Sequence, residues 1–103
     1  MAGAIEIEQN ESIVTITISR PDKLNSVTKE MLDDFFDKVS KFTNEPSIAA
    51  IIFTGEGEKA FSAGFDLNMI TSLKGQEHHD FFKKLESIIR FIRQARNCIT
   101  IAA

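Results

Sequence analysis

The segment at residues 60–67 (AFSAGFDL) has the composition of a loop that presents its backbone to a ligand. Four of its positions have a small side chain or none: Ala60, Ser62, Ala63 and Gly64. Such positions let N–H and C=O groups approach a ligand closely. A helix that begins at Asp66 would add free N–H groups and the positive end of its dipole. This chemistry suits an oxyanion or a polarised carbonyl oxygen, and the same small residues would equally permit tight packing of a loop on a sheet.

Other residues with possible chemistry offer weaker patterns. His78 and His79 are adjacent, and neighbours on a helix diverge by about 100°, so we expect no shared metal ion. Asp33 and Asp34 fall on the polar face of a predicted helix, where a solvated role is expected. Cys98 lies in an apolar strand without a neighbouring base, which predicts an inert small apolar residue. We therefore expect no metal site.

The elements before the loop are predicted to be a β-hairpin and a helix. Residues 4–8 and 12–19 alternate apolar and polar side chains around a polar turn, which indicates two antiparallel strands. From Thr28, a good N-cap, apolar residues recur at helical spacing until the helix should end near Asn44, before Pro46. This stripe consists of Met31, Leu32, Phe35, Phe36, Val39 and Phe42.

The elements around and after the loop complete an α/β order. Residues 47–55 form a continuous apolar run, which predicts a strand buried on both faces. Asp66 is expected to cap a short helix that runs through Leu73 and stops near Gly75.

A longer helix is then predicted over residues 77–97, with Phe91 off its main stripe as a possible second contact surface. The stripe consists of Phe82, Leu85, Ile88, Ile89 and Ile92. Residues 98–103 read as the start of another buried strand. The order ββαβααβ predicts one α/β domain, residues 1–103, with a mixed sheet flanked by helices. The chain ends inside an apolar strand, so we expect it to be a truncated part of a larger fold.

Composition limits the partners and the compartment. The net charge is −3 with mixed signs, so no basic stripe predicts binding to nucleic acid or to a membrane surface. No apolar run has the length of a membrane span, and the first residues lack a basic signal region. A single cysteine fits a reducing compartment. We expect a soluble, cytoplasmic protein.

Three segments, in order and at the right spacing, carry a family resemblance. They are residues 16–31 (ITISRPDKLNSVTKEM), residues 48–70 (IAAIIFTGEGEKAFSAGFDLNMI) and residues 96–103 (RNCITIAA). Together they resemble the N-terminal portion of the crotonase superfamily, the enoyl-CoA hydratase/isomerase fold. The resemblance covers nearly the whole chain, from Ser12 to Ala103.

The resemblance implies a site for acyl-CoA or CoA, with no other cofactor. The backbone N–H of Phe65 matches an oxyanion-hole donor for the thioester oxygen, and the carbonyl of Ala63 matches an acceptor for the adenine amino group. Lys23 and Leu24 match positions that line the CoA phosphates and pantetheine arm. The rest of the pocket wall corresponds to Ser62, Gly64, Asp66 and Leu67.

The resemblance also implies that only part of an acyl-CoA lyase or isomerase is present. In the family, the second oxyanion donor and the catalytic carboxylates come from segments beyond the position of Ala103. The chain is therefore expected to be an acyl-CoA-binding part with little turnover alone. A second possibility is a non-catalytic binding or self-association module, with residues 98–103 as an apolar edge for a homo-oligomer. A third is a folding fragment without a function of its own.

Overall fold

The computed structural model describes residues 3–58, 60–95 and 98–103. Its elements follow the predicted order, with one additional short 3₁₀ helix at Pro21–Lys23. The strands and helices are β1 (Ala4–Asn10), β2 (Ile13–Ser19), α1 (Lys29–Thr43), β3 (Ala50–Gly55), α2 (Leu67–Ser72), α3 (Gln76–Arg93) and β4 (Ile99–Ala102). The α/β class is confirmed.

The four strands form one mixed sheet in the order β1-β2-β3-β4. The β1–β2 hairpin is antiparallel, whereas β2–β3 and β3–β4 are parallel. In the register of the central pair, Val14 lies opposite Ile51 and Ile16 opposite Phe53. These four side chains point to the same face and are buried, so this face of the sheet forms the floor of the core.

Helices α1 and α3 pack on each other and on that face. Thr28 caps α1 as predicted, because its hydroxyl oxygen accepts a hydrogen bond from the Met31 N–H, and the helix ends at an Asn44 cap. The core combines side chains from both helices, three strands and the turn before β3: Ile5, Val14, Ile16, Ile18, Met31, Leu32, Val39, Phe42, Ile48, Ile51, Phe53, Phe81 and Ile88.

The prediction that β3 is buried on both faces was wrong. Ile51 and Phe53 are buried, but Ile52 and Thr54 on the other face are only half-buried, because the helices cover one face. The strand also begins at Ala50 rather than at residue 47, since a turn with a hydrogen bond from the Ile48 N–H to the Glu45 carbonyl precedes it.

The buried stripe of α3 differs from the predicted one. Phe82 is 44% exposed and Ile89 is 48% exposed, whereas Phe81 and Ile88 are buried. The true stripe follows the spacing of Phe81, Leu85, Ile88 and Ile92. Phe81, Ile88 and Ile92 pack in the core, and Leu85 lines an apolar cavity together with Ile18 and Leu32. Phe91 is not a separate surface, because its ring lies 5.6 Å from that of Phe36. The helix ends at Arg93, and the predicted end at Asn97 lies outside the described residues.

Strand β4 is an exposed edge rather than a buried strand. Ile99 is 68% exposed and Ile101 is 46% exposed, and both point to the face that the helices leave uncovered. Within the described ranges, β4 pairs only with β3, so its outer edge carries unpaired backbone groups. None of the helices in the described part of the chain is long and apolar enough to cross a membrane.

Candidate functional site

Two loops meet at the edge of the sheet where the parallel strands β2 and β3 end. The first is the turn at residues 20–27, which follows β2, and the second is the loop at residues 60–66, which follows β3. Ligands of α/β sheets tend to lie beyond the carboxyl ends of parallel strands. The segment singled out for its small residues therefore lies at the edge where such a site is expected.

The two loops are joined by a short parallel ladder. The Ala63 N–H donates to the Leu24 carbonyl (2.9 Å), the Val27 N–H to the Gly64 carbonyl (2.7 Å), and the Asp66 N–H to the Val27 carbonyl (2.9 Å). Val27 and Phe65 form the bridge pair of this ladder. Successive N–H groups of an extended strand point to opposite sides, so the Phe65 N–H points away from residues 20–27. It donates to no acceptor among the residues that the structure describes.

Asn25 holds both loops from inside. Its side chain is buried, with only 1% exposure, and its backbone is left-handed at φ 58°. The Oδ1 atom accepts a hydrogen bond from the Arg20 N–H (2.8 Å), while Nδ2 donates to the carbonyls of Glu56 and Ala60 (2.9 Å each). The turn after β2 and both ends of the turn after β3 are thus tied to one amide.

Arg20 and Asp66 form a second tie at the other end of the ladder. Arg20 Nη1 lies 2.8 Å from Asp66 Oδ2 and 3.0 Å from Ser26 Oγ. The other oxygen of Asp66 accepts the Met69 N–H at 3.0 Å and caps α2, as predicted. The hydrogen bond from Arg20 and the bond from Met69 hold the pKa of the Asp66 carboxyl below its ordinary value. Asp66 is therefore an anion that orients the loop and the helix after it.

The remaining loop residues divide into those that hold the loop and those that face outward. Ser62 Oγ donates to the Asn25 carbonyl (2.8 Å) and accepts from the Gly64 N–H (3.1 Å). Gly64 has φ +97° and would meet nothing within 4 Å of an added Cβ, so its surroundings are open. The Phe65 ring is anchored edge-on against Phe81 at 4.9 Å between centroids.

Most of the predicted site residues are brought together. Leu24, Ser62, Ala63, Gly64, Phe65 and Asp66 all belong to the ladder or its ties. Lys23 and Leu24 are exposed in the turn after β2, and Leu67 is an exposed first residue of α2. The roles of these residues toward a ligand stay predictions.

Two cavities lie beside the joined loops. One of about 200 Å³ opens between Pro21 and Leu24 on one side and residues 56–58 and 60 on the other, with Asn25 in its wall. The other, of about 130 Å³, has only apolar side chains in its wall and reaches from Val27 and Phe65 to Leu85 on α3. The Phe65 N–H and the two cavities thus lie together at one edge of the sheet.

Asp33 and Cys98, which were also considered as possible reactive residues, have surroundings that indicate structural roles. Asp33 pairs with Lys84 at 2.8 Å and with Lys29 at 3.6 Å. Partial burial raises the pKa of Asp33, but these lysines outweigh it and hold the pKa below its usual value. Burial raises the pKa of the Cys98 thiol, which agrees with an unreactive cysteine.

The two histidines are exposed, and the ring of His78 lies against that of Phe82, with 4.9 Å between centroids. Among the described residues, no three possible metal ligands lie together.

Arg20 and Asn25 hold the site together, but no pattern in the sequence predicts this role. An Arg before a Pro turn and an Asn at a turn position are ordinary local signals, since Asn tolerates left-handed backbone. Their importance comes from bonds to residues 31 to 46 positions away, which no local pattern shows.

The fold and the loops define an α/β protein that presents a backbone donor at the carboxyl edge of its parallel strands. A family model described as enoyl-CoA hydratase/isomerase matches residues 8–103. The chain belongs to this family.

Individual relatives agree with the family match. The chain is 30% identical over 88 residues to a crotonyl-CoA hydratase of Syntrophomonas wolfei, covering 85% of this chain and 34% of that protein. It is 32% identical over 79 residues to 4-chlorobenzoyl coenzyme A dehalogenase-2 of an Arthrobacter species, covering 77% of this chain and 28% of that one.

A solved structure of an enoyl-CoA hydratase from Thermoplasma volcanium superposes with a TM-score of 0.82 at 39% identity, over 95% of this chain and 38% of that one. The chain thus spans about a third of the length of the proteins that it matches.

Proposed function

We propose that the chain is the N-terminal, acyl-CoA-binding part of an enoyl-CoA hydratase/isomerase-like protein. In this proposal the Phe65 N–H donates to the thioester oxygen, and the ligand is acyl-CoA or CoA. The observation that carries it is the Val27–Phe65 bridge, which turns this N–H away from residues 20–27 and leaves it without an acceptor in the described chain. Two relatives are named for reactions of CoA thioesters, which supports this ligand class.

The surroundings of the donor fit the rest of a CoA ligand. Lys23 places an exposed ammonium group in the turn after β2, where CoA phosphates would need a cation. The Ala63 carbonyl accepts no hydrogen bond within the described residues and is available for the adenine amino group. Ser62 and Asp66 act through the loop, because their side chains bond to Asn25 and Arg20. Leu24, Gly64 and Leu67 complete the exposed wall.

We further propose that the 103-residue chain alone turns over little substrate. One donor stabilises part of the charge that develops on a thioester oxygen, and loss of a single oxyanion donor typically costs about 3 kcal/mol of barrier lowering. Asp66, the carboxylate next to Phe65 in the chain, is paired with Arg20 and caps α2, so it holds the loop rather than facing a ligand as an acid or base. Binding without hydration is therefore the expected behaviour of this chain.

Calorimetric titration with a matched pair of ligands tests the proposal. Butyryl-CoA and the thioether S-butyl-CoA differ only in the carbonyl oxygen that the Phe65 N–H would bind. A neutral hydrogen bond contributes about 1 kcal/mol, so we expect the thioester to bind about fivefold more tightly than the thioether. Hydration of crotonyl-CoA, followed by its absorbance, measures turnover. Measurable hydration would overturn the claim of low activity, and absence of binding by all CoA ligands would overturn the proposal itself.

Two variants of Phe65 separate the contribution of its N–H to binding from that of its ring. Phe65→Pro removes the N–H and the ring, whereas Phe65→Ala removes the ring contact with Phe81 and keeps the N–H. We expect the preference for thioester over thioether to disappear in Phe65→Pro and to persist in Phe65→Ala. Equal preferences in both variants would contradict the oxyanion role. Circular dichroism should show that both variants keep the fold.

Strand β4 favours a second candidate function, self-association. Its apolar Ile99 and Ile101 are exposed on one face, and its outer edge has no partner in the part of the chain that the structure describes. Exposed apolar edge strands pair readily with another chain, so a non-catalytic module that forms homo-oligomers is the alternative. Sedimentation at increasing protein concentration tests it, and a monomer at all concentrations would contradict it.

A further inference from the structure

We propose that Asn25 is the positioning residue of this site: its side-chain amide sets where the Phe65 N–H lies. This inference rests on the proposed function, since it concerns the donor assigned there. Asn25 itself is buried and points to the backbone of both loops rather than outward. It therefore acts through the loop, by its hydrogen bonds to backbone groups.

The hydrogen bonds of Asn25 use its whole side chain. One oxygen accepts from the Arg20 N–H, and the two N–H groups of Nδ2 serve the carbonyls of Glu56 and Ala60. The backbone carbonyl of Asn25 accepts a further bond from the Ser62 hydroxyl. The start of the loop is thus held at Ala60 and again at Ser62, before the ladder begins at Ala63.

No other side chain fits these demands equally well. The backbone of Asn25 is left-handed, which Asn and Asp tolerate better than most residues. An amide offers two donors and an acceptor in one plane, whereas a carboxylate has no donor and would face two carbonyl oxygens. Glutamine has the same groups on a longer stem. The position therefore calls for an asparagine amide, and its loss leaves buried carbonyls without partners.

The position of Phe65 follows from these ties. The segment from Ala60 to Asp66 is held at its start by Asn25 and at its end by Arg20, and Phe65 lies in the last part. Without the Nδ2 bonds, the start of the loop is released while the Arg20 tie and the Phe65–Phe81 contact remain. The loop should then stay attached but place its N–H over a wider range, which weakens a directional bond more than general contact.

The test compares Asn25→Asp with Thr43→Val in the 103-residue chain. Asn25→Asp keeps the oxygen that accepts from Arg20 and removes both donors. Thr43→Val removes the other buried polar side chain of the described core, a hydroxyl bonded to the Val39 carbonyl in α1, and serves as a control for lost stability. The readouts are the ratio of affinities for butyryl-CoA and S-butyl-CoA, the affinity for free CoA, and amide hydrogen exchange at Ala63 and Ile16.

A positioning role predicts a specific pattern. In Asn25→Asp, the thioester preference should fall from about fivefold to less than about twofold, while affinity for free CoA stays within about twofold. The Ala63 N–H donates to the Leu24 carbonyl. Its hydrogen-exchange rate should rise about tenfold more than that of the Ile16 amide in the core. In Thr43→Val, the preference should stay unchanged. If both variants keep the preference, or lose all affinities in parallel, Asn25 is only structural.

The outcomes separate this inference from the proposed function. A wild-type chain without thioester preference would refute the oxyanion role of Phe65, and the exchange of Ala63 would still decide whether Asn25 clamps the loop. If Asn25→Asp does not fold, Ser62→Ala releases the same part of the loop by removing the hydroxyl bonded to Asn25 and Gly64. An unchanged preference in Ser62→Ala would then overturn the inference.

Discussion

Replacement of Gly55 by alanine should displace the candidate loop. Gly55 ends β3, and a Cβ placed there would lie 2.7 Å from the Phe61 carbonyl carbon and 2.8 Å from the Ala60 oxygen, with the Phe61 oxygen closer still. Ordinary contact begins at 3.4 Å, so the Phe61 carbonyl carbon must retreat by about 0.7 Å and its oxygen by more. All three atoms belong to the backbone, which cannot rotate away as a flexible side chain would.

The displacement has an energetic and a functional consequence. Overpacking of this kind costs about 1–3 kcal/mol, and a shift of this size is enough to strain the 2.9 Å bond from Asn25 Nδ2 to the Ala60 carbonyl. We expect Gly55→Ala to lower the free energy of unfolding by about 2–3 kcal/mol. The preference for butyryl-CoA over S-butyl-CoA should fall with it.

Gly57→Ala is the matched control, two residues further along. Gly57 has φ +83° but nothing within 4 Å of an added Cβ, so only backbone strain of about 1 kcal/mol is expected. Urea unfolding measures the free energy of unfolding of both variants, and the CoA titration measures their preference for butyryl-CoA over S-butyl-CoA. A free energy of unfolding for Gly55→Ala within about 0.5 kcal/mol of the original chain would refute the predicted clash, and so would a larger loss of stability in Gly57→Ala.

Two further predictions concern the charged tie and the sheet edge. The pKa of Asp66 is lowered in the folded chain, so its ion pair with Arg20 should stabilise the fold above about pH 4 and be lost as the pH falls through the lowered value. Asp66→Asn, which keeps the helix cap, should therefore be less stable than the original chain near about pH 6 in urea unfolding. The difference should shrink as the pH falls through the lowered pKa of Asp66, and a difference independent of pH would contradict this. If the chain self-associates through β4, Ile101→Lys should shift the sedimentation equilibrium toward monomer by placing a charge on the exposed edge, whereas Leu67→Lys on exposed α2 should leave it unchanged.

Features with a local cause were predictable from the sequence. Alternating Ile, Val and Thr predicted the β1–β2 hairpin, and the caps at Thr28 and Asp66 were found because a capping side chain bonds to an N–H three residues away. The order of elements followed from these signals. The small residues of the loop likewise marked a segment that lies at the carboxyl edge of the sheet.

Features that depend on tertiary packing were not predictable. Apolar residues cover a broad arc of α3, and only contact with α1 and the sheet selects Phe81 over Phe82. A continuous apolar run predicted two buried faces for β3, but the helices cover one. The role of Asn25 depends on carbonyls 31 and 35 positions away. The close approach at Gly55 depends on the backbone of Ala60 and Phe61, which comes back against the end of β3.

The Asn25 amide also has a consequence for the order in which the protein folds. It joins residues about 35 positions apart, and the chain between them contains α1 and β3. Closing a loop of that length costs about 3 kcal/mol of chain entropy, which the two elements must offset before the amide can bond. The paired loops should therefore form after the helix–sheet core and open before it. A ligand that bridges the two loops would therefore act on the last step of folding and oppose the first step of unfolding.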